Sequence, residues 1–155
     1  MIARGLLAGA AGILALDAYT YVDIFVRGRP PSDLPATTVQ KLAQTFGIGG
    51  LASEESEVAK NRRGGAGALL GYGVGLGSAI SYSTVRPFLE EWIPWPMAGA
   101  ILGATTLVVS EGSATALGAT DWSTWSVSDW ISDIVPRTLY GLSVAYVCEI
   151  LDDAD

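Results

Sequence analysis

The sequence predicts an all-α membrane protein, a bundle of four transmembrane helices with short interfacial helices in the connections. Three observations predict it. Of the 155 residues, 50% are hydrophobic and 16% charged, against about 25% charged in an average soluble domain. Four apolar stretches, about residues 3–26, 64–85, 97–117 and 134–151, fill most of the length, and each approaches the ~20 residues that cross a ~30 Å hydrocarbon core. Proline, glycine and charge clusters punctuate the intervals between them, so residues 1–155 read as a single transmembrane domain.

The first stretch opens after Arg4, like a secretory signal. However, no small-x-small cleavage site stands around Ala15 to Ala18, and the apolar run continues to Val26 before Arg27 and Arg29. A membrane span is the better reading. At 100° per residue Asp17, Thr20 and Asp23 share one arc with Gly9, Ile13 and Leu16, whereas Leu7, Ala11, Ala18, Val22 and Phe25 lie opposite. Carboxylates inside a span are costly and need polar neighbours, so the first face is expected to meet protein and the second lipid.

Arg27-Gly28-Arg29-Pro30-Pro31 ends this helix, because proline cannot continue it and the preceding residue avoids helical angles. Thr37 or Thr38 is then expected to cap a short surface helix through Phe46, with Val39, Leu42, Ala43 and Phe46 on one side. Gly47, Gly49 and Gly50 break it, and a mixed-charge segment from Glu54 to Arg63 leads to the second span.

That span carries Gly64, Gly67, Gly71, Gly75, Ser78 and Tyr82 in one stripe, with Gly73 and Gly77 on a different face. Small residues at this spacing let helix backbones approach, within one chain or between copies. Gly67, Gly71 and Gly75 are therefore the expected close contact of the second span. Arg86-Pro87 ends it, and Trp92 and Trp95 in the following connection suit the membrane interface. The third span has a second small stripe, led by Gly99 and Gly103, and one charge, Glu111. After Gly118, a stretch rich in Trp and Asp predicts a short interfacial helix capped by Ser126 or Ser128. Pro136 suits the first turn of the fourth span, and Asp152-Asp153-Ala154-Asp155 reads as a solvated tail. A shift of 94 positions lays Gly5, Gly9 and Asp17 on Gly99, Gly103 and Glu111, a match that abundant glycine also produces by chance.

Composition narrows the function classes. The net charge is −7 and the nine basic residues are scattered, which argues against a nucleic-acid partner. Histidine is absent and Cys148 is the single cysteine, so the usual general base and an internal disulfide are both missing. Neither a cofactor nor a metal site is expected. Seven Lys and Arg residues fall on the side of the first connection and two, Arg4 and Arg86, on the other. The positive-inside rule then predicts a multi-pass cell-membrane protein with both termini outside.

Asp17 and Glu111 lie roughly 10 to 14 Å above the inner ends of their helices at 1.5 Å per residue. Asp23 and Arg137 lie lower, and an Asp23–Arg137 ion pair below the two deep carboxylates is expected. Asp17, Thr20, Asp23, Glu111 and Arg137 thus form a candidate intramembrane polar cluster. Three readings follow. The first is a non-catalytic helix-packing module, embedded in the lipid bilayer, that self-associates as a homo-oligomer or joins other membrane subunits. The second is ion- or proton-linked transport through Asp17, Glu111 and Arg137. The third, and weakest, is a membrane-surface enzyme of lipid phosphates using Asp121, Asp129 and Asp133, whose spacing lacks the fuller Asp-rich pattern of the CDP-alcohol phosphatidyl transferases. Finally, Arg27-Gly28-Arg29-Pro30, Thr115-Ala116-Leu117-Gly118 with Asp121, and Trp130-Ile131-Ser132-Asp133-Ile134-Val135-Pro136 resemble small four-span bacterial integral membrane proteins of uncharacterised function. That resemblance covers most of the chain and implies the topology without an activity.

Overall fold

Six helices make up the computed structural model, which describes residues 1–52 and 56–153: α1 (Ile2–Arg27), α2 (Leu34–Phe46), α3 (Gly49–Ala52), α4 (Glu57–Val85), α5 (Trp95–Ala116) and α6 (Val127–Asp153). Glu54 of the mixed-charge segment, and Ala154 and Asp155 of the acidic tail, lie outside the described residues. Single 3₁₀ turns follow α4 and precede α6, and no strand occurs among the described residues. Three helices, α1, α5 and α6, are long and apolar enough to cross a membrane. Helix α4 is the longest at 29 residues but does not join that set. Its first turns carry Glu57, Lys60, Arg62 and Arg63, and its remainder is diluted by Gly, Ser, Thr and Tyr. The expectation of four spans is thus met by length and apolarity for three.

The long helices alternate in direction. Helix α1 packs against α4 on one side and α6 on the other, α6 packs in turn against α5, and α4 meets α5 over a short stretch. The start of α1 and the last turn of α6 lie at one end of this assembly, where Arg4 of α1 pairs with Asp152 of α6 and Arg86 pairs with Glu149 and Asp152. At the opposite end Arg27 of α1 donates to Ser128 and Ser132 of α6.

The packing is set by absent side chains. A Cβ on Gly5 would lie 2.6 Å from the Ile80 backbone of α4, and one on Gly12 would lie 2.6 Å from Val144 of α6. Between α5 and α6, a Cβ on Gly103 would lie 2.6 Å from the Arg137 carbonyl, and one on Gly99 would lie 2.8 Å from that of Gly141. Such spacing gives the close backbone approach by which helices associate in lipid. The interior is correspondingly small: Ala8, Ala79, Ala98, Ala145 and Cys148 fill it with Tyr82, Tyr140 and Val144. The Tyr140 hydroxyl reaches from α6 to the Gly75 carbonyl of α4 at 2.5 Å. Large apolar residues point outward instead, among them Leu7, Val22 and Phe25 of α1 and Ile101, Val108 and Val109 of α5.

Three boundaries differ from the sequence expectation, each for a local reason. Helix α2 starts at Leu34, with Asp33 as its N-cap residue and Pro35 in its first turn, so Thr37 and Thr38 are internal. Their hydroxyls donate to the carbonyls of Asp33 and Leu34. Helix α4 begins at Glu57, capped by Ser56 accepting from the Ala59 amide at 3.2 Å, which makes most of the mixed-charge segment helical. The interfacial helix and the fourth span are one helix, α6. Ser126 accepts from the Asp129 amide while Asp129 accepts from the Ser126 amide at 2.8 Å, a reciprocal cap that starts the helix early. Pro136 consequently falls inside α6 rather than in its first turn; having no N–H, it leaves the Ser132 carbonyl without its usual helical donor.

Candidate intramembrane polar site

Glu111 is 2% exposed on α5. Its Oε1 accepts from Arg137 Nη2 of α6 at 2.6 Å and from the Ser110 hydroxyl at 3.4 Å. The same guanidinium donates through Nε to both oxygens of Asp133 at 3.1 Å, one helical turn earlier, and through Nη2 to Ser110 at 3.2 Å. Gly103 makes this approach feasible, because its bare Cα sits against the Arg137 carbonyl and brings the two helices together just above the ion pair. Two carboxylates share one guanidinium. The group carries one surplus negative charge when all three are ionised. Two oxygens in this region, Glu111 Oε2 and Thr115 Oγ1, are enclosed without a hydrogen-bond partner.

The other members of the expected cluster have different partners. Asp23 accepts from Arg29 Nε at 2.6 Å and Arg27 Nη1 at 3.2 Å, not from Arg137. The cause is Gly28, whose left-handed φ of 64° turns the chain so that Arg29 folds back on α1, while Arg137 is engaged by Glu111 and Asp133. Asp17 accepts from the Tyr72 hydroxyl of α4 at 3.3 Å. Thr20 is half-buried on α1. The single cluster drawn from the sequence is therefore three separate polar contacts.

The glycine stripe of α4 is also divided. Gly67 abuts Pro35 of α2 and Gly75 abuts Ile13 of α1, but Gly71 has no neighbour within 4 Å of where a Cβ would stand. Helix α1 instead meets the arc of α4 that carries Leu76, Ala79, Ile80 and Ser83. Gly73 and Gly77 likewise face open space.

Sequence reasoning missed the network at the terminal end. Arg86 is 6% exposed and ties the end of α4 to Glu149 and Asp152 of α6, with Glu90 at 3.9 Å. It lies in a cleft of about 350 Å³ also lined by Tyr82, Trp95 and Glu149. The signal available was Arg86 itself, a cation at a helix end facing an acidic C-terminal segment. Asp129 and Asp133 do not jointly present oxygens to a cation, since one caps Ser126 and the other holds Arg137. No group of three or more His, Cys, Asp or Glu suited to a metal occurs among the described residues. In the α5–α6 connection, the Ser123 hydroxyl and amide hold the Asp121 carboxyl below its ordinary range.

Comparison with protein-family models, curated proteins and solved structures finds no match for this chain.

Proposed function

We propose that the chain is a non-catalytic helix-packing module of the membrane, crossing it four times with both termini outside, and that it self-associates through α4. One observation carries this reading. Gly73, Gly77 and Ser81, spaced four apart on α4, are all exposed, and nothing stands within 4 Å of a Cβ placed at either glycine. Alone among the long helices α4 falls short of membrane-spanning apolarity, yet this face has no cover within the chain. Lipid fills a glycine groove poorly, whereas a second helix with the same stripe packs into it and gains backbone contact. A second copy supplies that helix by a symmetric arrangement.

The rival readings draw less support. Transport through Asp17, Glu111 and Arg137 requires a shared route, but Asp17 is engaged with α4 and Glu111 with α6. Lipid-phosphate chemistry at Asp121, Asp129 and Asp133 requires free carboxylates, and these are held by Ser123, Ser126 and Arg137 respectively. The test is the mass of the purified protein in mild detergent. The wild type should run as an oligomer, and Gly73→Leu with Gly77→Leu should run as a folded monomer. A monomeric wild type, or an oligomer unchanged by the double substitution, contradicts the proposal.

A further inference from the structure

We infer that the cleft around Arg86 binds one small organic ammonium group, a property independent of self-association, since Gly73 and Gly77 line no part of it. The cleft lies where the end of α4 and the turn after it meet the start of α5 and the last turns of α6. Its volume of about 350 Å³ falls in the range of small-molecule pockets. The wall holds one cation and three carboxylates. Arg86 is buried and faces Glu149 and Asp152 in direct ion pairs, with Glu90 at 3.9 Å. Arg4 reaches Asp152 from outside the cleft, so the five groups together keep one surplus negative charge when all are ionised. The surplus is presented to the opening, because the side chains of Glu90 and Glu149 are 49% and 38% exposed while that of Arg86 is 7% exposed. An anion seeking the guanidinium would have to pass these carboxylates.

The rest of the wall selects the kind of cation. The carboxylates gather on Arg86 and do not converge on a vacant point, and no group of three or more His, Cys, Asp or Glu suited to a metal occurs among the described residues. A divalent ion needs such convergence. Leu89 and Ile93 give the cleft an apolar side, and Trp95 adds an aromatic one, its ring packed on Tyr146 with centroids 5.2 Å apart. An alkylammonium matches both sides: its charge suits the carboxylates, its carbon surface suits the apolar side, and aromatic rings attract such cations. Trp92 and Trp95 suit the membrane interface, so the group arrives either free in solution or as the headgroup of a zwitterionic lipid.

The experiment is calorimetric titration of the full chain in mild detergent with choline chloride, at constant ionic strength and with sodium chloride as the reference. Choline should bind saturably and sodium should not. Glu90→Gln, at a half-exposed carboxylate held only loosely by Arg86, should weaken choline about fivefold with an unchanged circular dichroism spectrum. Glu57→Gln, at the opposite end of α4, should bind as wild type does. A second arm separates the sources: the chain is re-extracted from vesicles of equal phosphatidylethanolamine and phosphatidylglycerol. Retention of phosphatidylethanolamine that is lost in Glu90→Gln assigns the site to a lipid headgroup, whereas choline binding without such retention assigns it to a free cation. Neither choline binding nor selective retention, or either effect undiminished in Glu90→Gln, would overturn the inference. Equal responses to choline and sodium would overturn it too, by reducing the cleft to unselective charge.

Discussion

Gly141 shows how much one hydrogen atom in place of a methyl can decide. A Cβ at that position would overlap the Gly99 carbonyl oxygen and stand 2.6 Å from the Gly103 amide, both rigid backbone. Gly141→Ala is therefore expected to destabilise the chain by about 1–3 kcal/mol through forced separation of α5 and α6. Gly71→Ala, facing open space, should be neutral or stabilising by up to ~1 kcal/mol, since alanine loses less backbone freedom in a helix. Unfolding of both variants in mixed micelles checks this, and equal costs would refute it. The same scale explains what was readable in the site. A lone Glu111 in an apolar run announces a partner, but depth along the helices assigned Arg137 to Asp23 instead. The sharing of Arg137 with Asp133 was implicit in their i, i+4 spacing. The pairing of Asp23 was not legible as far as Arg29, because it depends on the backbone turn at Gly28 bringing a residue from beyond the helix end back against it.

Among the elements, α1 and α5 were legible because long, mostly apolar runs bounded by Arg27 and by Gly118 leave little choice. Helix α6 was read short. The cap at Ser126 was expected, but Pro136 looks like the first-turn residue of a new helix, whereas the helix that starts at Val127 runs through it. The contact face of α4 was read from its densest glycine stripe, yet packing follows shape on both partners. Gly5 and Gly9 of α1 provide the close approach, so α4 can present Leu76, Ala79, Ile80 and Ser83 to them, leaving several of its own glycines unused within the chain.

For the whole molecule, the pairing of Arg4 with Asp152 puts the start of α1 and the last turn of α6 at one end, and the proposed orientation, drawn from the Lys and Arg imbalance, has that end outside. With Cys148 replaced, a cysteine at Glu91 should react with an impermeant thiol reagent on intact cells, and one at Lys41 should react after lysis alone. The reverse pattern would invert the orientation. Neighbour order was not legible from hydropathy, because in lipid every span has the same apolar background and the choice of partner rests on which small residues face each other.

Self-association through α4 is most directly tested by cysteine cross-linking in native membranes, with Cys148 replaced and a single cysteine at Gly77. A disulfide needs Cα atoms within about 7 Å, which two glycine faces in contact provide. Oxidation should produce a covalent dimer at Gly77 and none at Leu7, an exposed position on α1. Absence of the dimer at Gly77, or equal cross-linking at Leu7, would contradict a specific α4 interface.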